Sequence, residues 1–369
     1  MSRGDPTFSS TLQVFDQGIK NGWHLGGQLY VSLRGQTQIS VAVGESAPGK
    51  PQETNDLLLW LSAGKPLTAI GLALLLEQQG ISTDSRVCDV IPEFGVEGKE
   101  SITIHHLLTH TGGIRAADSI DETLDWDAMI HAICATRLDD NWIPGQKAGY
   151  HIAGSWYLLG EIIQRLSGKP FADFIRDQLT RPLGMSQTFL SFPDSDHTKP
   201  LGSLCLLYDT FAGKQQPHSN WNNPAYTQRA RPGSNIRGPI SDLGRFYEAL
   251  LGYGPNPSPL PSTSMINRVT TRQRSGMYDH TLLGTIDWGY GFLIQPPTPL
   301  PVHPGYTYGS HASAETFGHS GNQCACAFAD PAHGLVVAWI CNGRPGERIH
   351  QLRSNSINNA IYQDLGLTA

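Results

Sequence analysis

Between Leu57 and Gly80 the chain reads LLLWLSAGKPLTAIGLALLLEQQG, and this stretch leaves little choice of fold. From Leu67 to Leu76 nearly every residue is apolar or small. A helix here must be buried on most faces and lie at the centre of a domain. Gly80 follows directly and is a C-terminal stop, because glycine takes up the left-handed conformation that ends helices. Just before the run stand Ser62 and Lys65, three apart, so both project from one helical face and can touch. Lysine is rarely buried without a partner or a task. On these residues alone two readings stay open. Ser62 caps the helix while Lys65 snorkels to solvent; or the two form an S-x-x-K pair, in which the amine helps activate the hydroxyl.

A chain of 369 residues holds one large domain or two intimately packed ones. With 26 basic and 32 acidic residues the net charge is -6, which gives no electrostatic reason to expect a nucleic acid or an anionic membrane as partner. The N-terminal MSRGDPTFSSTLQVF carries no apolar run of signal-peptide length. The longest apolar run is about half of what a bilayer requires. The expectation is therefore a cytoplasmic protein without a membrane segment. Cys88, Cys134, Cys205, Cys324, Cys326 and Cys341 show no disulfide framework and are read as reduced. Cys324 and Cys326, two apart in an expected strand, should face the same way as small buried hydrophobes.

The spacing of Phe8, Leu12, Phe15 and Ile19 predicts a helix over 8–19, followed by a hairpin of strands 26–33 and 37–43. After the Leu57–Gly80 segment come a short connection at 87–94 and then helices over 125–137, 155–166 and 171–179. Residues 190–235 are loop-rich, with Trp221 and Tyr226 among them, and such a stretch is more often the wall of a site than filler. A helix over 241–251 has Ser241 as its expected N-cap. Strands are expected at 287–295, 316–319, 324–329 and 335–342, and a last helix over 347–364. Strands at both ends and helices between them place the N- and C-terminal segments in one antiparallel sheet. His105, His106 and His110 suggest half of a zinc-binding helix, but the glutamate of H-E-x-x-H is missing; structural histidines are expected, and no metal or cofactor. Neither G-x-x-x-x-G-K-[ST] nor G-x-S-x-G occurs, which argues against a phosphate loop and an α/β-hydrolase.

Short blocks line up in order: Ser62-Ala-Gly-Lys65, Leu107-Leu-Thr-His-Thr-Gly-Gly113, Tyr150-His-Ile152, Arg181-Pro-Leu-Gly-Met185 and His319-Ser-Gly321. Together they resemble the serine β-lactamase and penicillin-binding-protein superfamily, most of all the branch with class C β-lactamases, esterases, D-aminopeptidases and acyltransferases. The resemblance covers roughly residues 10–365. It implies an α+β, β-lactamase/transpeptidase-like fold: an α/β/α sheet domain from residues 8–85 and 235–369, a mainly helical subdomain from 86–234, and an active site in the cleft between them.

Carried over residue by residue, the resemblance makes Ser62 the nucleophile, Lys65 its helical partner and Tyr150 the group that takes the hydroxyl proton and returns it to a leaving group. The backbone N–H groups of Ser62 and Asn322 match the oxyanion hole, and His319, Ser320, Gly321, Ile152, Trp221 and Tyr226 fall on the substrate side. Two departures matter. His319 stands where lactamases and transpeptidases usually keep a lysine that greets a carboxylate, and histidine is mostly neutral near pH 7. Ile152 stands where an asparagine usually holds an amide, and its side chain neither donates nor accepts. Both point away from β-lactams and peptidoglycan stems. The expected partners are a small-molecule ester or thioester as acyl donor and water, an alcohol or an amine as acceptor; the same-fold alternatives are a β-lactamase or D-amino-acid amidase, and a binding protein that keeps the fold.

Overall fold

Alternating β-formers on either side of Arg34-Gly35 build the hairpin of β1 (Gly26–Leu33) and β2 (Gln36–Ala47), on which the main sheet is laid. The computed structural model describes residues 8–192, 202–296 and 308–368. The short β3 (Lys50–Pro51) extends one edge, and the C-terminal quarter supplies β4 (Leu293–Ile294), β5 (Phe317–Gly321), β6 (Ala325–Asp330) and β7 (Leu335–Cys341). The antiparallel order is β4-β5-β6-β7-β1-β2-β3, so the two ends of the chain meet at the β7–β1 pair, with Leu29 opposite Trp339. The sheet joins segments some 300 positions apart, as their patterns predict.

The two faces of the sheet bury different sets of side chains. Ala325, Ala327 and Ala329 of β6 belong to a large cluster that includes the apolar run of α2 (Lys65–Gln79). Cys326 and Phe328 turn to the opposite face, among Phe8, Phe15, Ile357 and Ile361. That face is covered by α1 (Ser9–Lys20) and by the last helix, Glu347–Asp364. The first cluster continues from the sheet through α2 into α3 (Ile104–Leu108), α4 (Trp126–Ala135), α5 (Gly154–Ser167) and α6 (Phe171–Ile175). Helix α2 is buried at every residue from Lys65 to Leu76 and ends at Gly80 with φ +66°.

Three local expectations are corrected. The strand predicted over 287–295 shrinks to Leu293–Ile294, because Gly291 sits at φ +74° and bends the chain before it. The helix expected from Ser241 begins at Ile240 after Pro239; the Ser241 side chain makes no cap bond, and Asp242 instead accepts from Thr188. Cys324 and Cys326 face opposite ways, since Cys324 precedes the strand and packs with the alanine face. All six cysteines are free. Residues 193–201, part of the stretch expected to be loop, lie outside the described residues. No helix among the described residues is long and apolar enough to cross a membrane.

One side chain staples three strands. Asn342, fully buried just after β7, accepts from the backbone N–H groups of Leu25 and Gly26 at 3.0 and 2.9 Å and donates to the Glu45 carbonyl at 2.8 Å. Asn342→Ala leaves two buried N–H groups without an acceptor, so it should cost about 2–4 kcal/mol. A lower urea midpoint at unchanged slope would show it.

Candidate active site

A one-turn 3-10 helix, Leu61–Gly64, carries Ser62 into the start of α2. Neither turn nor helix has a side-chain cap at its N-terminus, so the capping reading of Ser62 falls away. The turn is held from outside. The Trp60 backbone N–H donates to the Ile236 carbonyl at 2.9 Å, and its indole donates to the Gly238 carbonyl at 3.0 Å. Leu61 sits at φ +50°, a left-handed conformation that costs a bulky residue about 1–3 kcal/mol. Strand β5 lies directly against the turn: a Cβ on Gly321 would stand 2.2 Å from the Trp60 carbonyl oxygen, so only glycine fits there.

Lys65 is fully buried, and its Nζ has three neighbours. It donates to the carbonyls of Ile152 and Gly233, both at 2.8 Å, and lies 3.0 Å from Ser62 Oγ. Burial pushes its ammonium down to about 7, against the charge of Asp118, which raises it. A neutral amine has two N–H donors and one lone pair. As an ammonium Lys65 donates its third N–H to Ser62 Oγ; in the neutral form, with both N–H groups on the carbonyls, the lone pair would face the Ser62 hydroxyl. Tyr150 donates to the same Oγ at 3.0 Å.

Tyr150 is positioned from several sides. Its ring stacks on Trp288 with centroids 5.7 Å apart, and lies 4.7 Å from His110. Its backbone N–H donates to Asp279 at 3.0 Å, and that carboxylate is paired with Arg274 at 3.0 Å, both side chains almost fully buried. His110 is a structural neighbour here, its Nδ1 accepting from the His151 backbone N–H. His105 meets the Tyr290 hydroxyl at 2.9 Å and His106 accepts from the Thr103 backbone N–H, so the three histidines are engaged separately. No cluster of three or more metal-ligating side chains occurs among the described residues.

Sequence patterns gave no sign of Asp118, 34 to 36 positions from the residues it holds. It accepts from the N–H groups of Ile152 at 2.8 Å, Ala153 at 2.8 Å and Gly154 at 2.9 Å, which fixes the start of α5. The carbonyl of Ile152 is thereby aimed at Lys65. Nor did any local pattern mark Arg274 and Asp279.

Ser62, Ile152 and Asn322 line two adjoining cavities. The larger, about 290 Å³, also contains Tyr150, Trp288, His319, Ser320 and Gly321. The smaller, about 70 Å³, contains Trp221 and Tyr226 with Ile120, Met129 and Tyr157. Trp221 stacks on His218 at 4.1 Å and lies under the Arg344 guanidinium; Tyr226 donates to Ser234 at 3.0 Å. His319 is buried, and its Nδ1–H donates to the Ser320 carbonyl at 2.8 Å, which leaves Nε2 as a lone-pair acceptor without a partner. Burial, then the charge of Lys65, pushes its imidazole down to about 3, so it carries no cation.

The family model described as beta-lactamase matches residues 12–360. Esterase EstB of Burkholderia gladioli is 28% identical over 372 residues, covering 89% of this chain and 88% of that protein. Among solved structures, a novel penicillin-binding protein homologue from Caulobacter crescentus is similar at a TM-score of 0.79 and 26% identity, with 99% of each chain covered. A family VIII carboxylesterase reaches 0.80 at 21% identity, again over 99% of both chains.

Asp118 both aims the Ile152 carbonyl and raises the Lys65 pKa. Phosphonylation of Ser62 by a fluorophosphonate should rise with pH through about 7 as the Lys65 amine becomes neutral. Asp118→Asn removes the charge that favours the ammonium, so this limb should move to lower pH, with a slower plateau from the weakened anchor. A limb that stays in place would separate Asp118 from Lys65.

Proposed function

The chain belongs to the beta-lactamase family, and from that premise we propose that it is a serine esterase working through an acyl-Ser62 intermediate, with transfer to an alcohol or amine as the same reaction with another acceptor. At the coarser level it is a serine hydrolase of the β-lactamase fold. The observation that carries the proposal is a single oxygen, Ser62 Oγ, within 3.0 Å of both a buried amine and a phenol at the junction of two cavities.

In the proposed sequence Ser62 gives its proton to the Lys65 lone pair as Oγ attacks the ester carbonyl. The backbone N–H groups of Ser62 and Asn322 are the proposed donors to the oxyanion. Such a donor is commonly worth about 3 kcal/mol of barrier. Ser62 is the second residue of its turn, among the positions whose N–H finds no partner inside a helix. Collapse breaks the bond to the leaving oxygen, which takes a proton from Tyr150. At the acyl-enzyme stage the serine proton rests on Lys65 and Tyr150 is a phenolate. The attacking water gives a proton to that phenolate, and the Lys65 ammonium returns its proton to Ser62 Oγ as the acid leaves, which restores all three groups.

Tyr150 lines the larger cavity and not the smaller, so a leaving group that takes its proton belongs in the larger. The acyl substituent then points into about 70 Å³ of mainly apolar wall, including Trp221 and Tyr226, which suits a short chain. The uncharged His319 and the apolar Ile152 support an ester over a substrate anchored by carboxylate and amide. A cytoplasmic location remains part of the proposal.

The expected activity is hydrolysis of p-nitrophenyl acetate or butyrate, about tenfold or more faster in kcat/KM than of the octanoate, whose chain overfills the small cavity. Ser62→Ala should lose on the order of 10⁴-fold or more. Tyr150→Phe should lose about 10²- to 10⁴-fold. Equal fluorophosphonate labelling of wild type and Ser62→Ala would end the esterase reading. Nitrocefin or D-alanine amide turned over faster than any ester would replace it with a lactamase or amidase. A wild type inert to every serine-directed probe would leave a binding protein.

A further inference from the structure

The larger cavity beside Ser62 has an uneven charge. Among the described residues that line it, three besides the Ser62–Tyr150 machinery are acidic or basic: His319, His350 and Glu347. Burial holds both imidazoles well below their ordinary range, and His319 offers a buried, unpartnered Nε2 lone pair. Glu347 is exposed, and its carboxylate accepts from Gln351 at 3.4 Å. No lysine or arginine lines this cavity among the described residues. Arg344 reaches the Asn322 side chain at 3.5 Å, but its charge is met by Asp209 at 2.8 Å.

The place of Glu347 is fixed by the site itself. The Gly346 backbone N–H donates to Gln323 Oε1 at 2.9 Å, and Gln323 directly follows Asn322, at φ +54°. The start of the last helix is thus tied to the loop that borders the proposed oxyanion hole. Glu347 therefore lines the leaving-group side with no lysine or arginine among the described lining residues to answer its carboxylate.

Resting on the esterase reading, we infer that Glu347 is a specificity-determining residue and that the alcohol leaving group, or the acceptor that takes its place, carries an ammonium group, as an amino alcohol does. An ammonium in this cavity pairs with the Glu347 carboxylate, while an anionic group meets repulsion.

The test compares two thioesters of nearly the same shape, acetylthiocholine and 3,3-dimethylbutyl thioacetate, which differ in the positive charge. The readout is the ratio of their kcat/KM values in one preparation, so any misfolded fraction cancels. Wild type should favour the cationic thioester about fivefold or more at low ionic strength, less so in salt, as expected of a partly exposed ion pair. Glu347→Gln should bring the ratio towards one, and Glu347→Lys should take it below one. Ratios equal in wild type and Glu347→Gln, with turnover that still depends on Ser62, overturn this inference alone. Turnover of neither thioester by a preparation that still hydrolyses p-nitrophenyl acetate also overturns this inference alone; turnover that survives Ser62→Ala overturns the esterase reading and this inference with it.

Discussion

The burial of one amine organises the centre of this molecule. Lys65 is taken out of water completely, and an ammonium so placed is costly unless something answers it. Here the answer is two backbone carbonyls, those of Ile152 and Gly233, and the more distant Asp118. The balance leaves the group poised near 7 rather than fully charged or fully neutral. A base with that affinity is useful at ordinary pH, and a serine 3.0 Å away is the group it can serve.

Much of the surrounding structure can be understood as keeping those carbonyls where they are. Ile152 is aimed because Asp118 gathers three successive N–H groups at the start of α5. Tyr150, two residues earlier, is anchored through Asp279, which is itself secured by the buried Arg274. An ion pair that deep is weak evidence for stability, since its desolvation offsets most of its attraction. Its effect here is geometric: it fixes a backbone N–H and the Thr281–Leu282 wall of the larger cavity together. Left-handed backbone at Leu61, His110 and Gln323 shows that strain is tolerated around the same centre.

What the sequence disclosed follows from how local each cause is. The apolar run of α2, its glycine stop, the first hairpin and the last helix were all legible, because periodicity and turn chemistry act over a few residues. The Ser62–Lys65 pair was legible for the same reason, though spacing alone left a helix cap as good an answer; the 3-10 turn ahead of α2 decides it. Asp118, Arg274 and Asp279 were not legible, since each acts on a partner many positions away through the tertiary fold. The helix start at Glu347 was foreseen, but not that Gln323 ties this start to the cleft. At 287–295 the β-formers were read correctly as apolar and wrongly as extended, because Gly291 adopts a conformation that its neighbours could not.

The two cavities share Ser62 but differ in which groups can move protons or carry charge. Tyr150 lines only the larger, and in the proposed reaction a proton returned from it to a departing group would define a direction through the site. Direction then gives meaning to the residues that depart from the lactamase pattern. An uncharged His319 and a carboxylate at Glu347 line the larger cavity, the proposed leaving-group side, where a lysine would have drawn an anion. Ile152 lies at the junction, where an amide-binding side chain would have gripped the acyl part. On the proposed reading the acylating centre is separable from the grips around it: burial and backbone carbonyls set the environment of Lys65 beside Ser62, while side chains on β5 and at the start of the last helix line the approach to it.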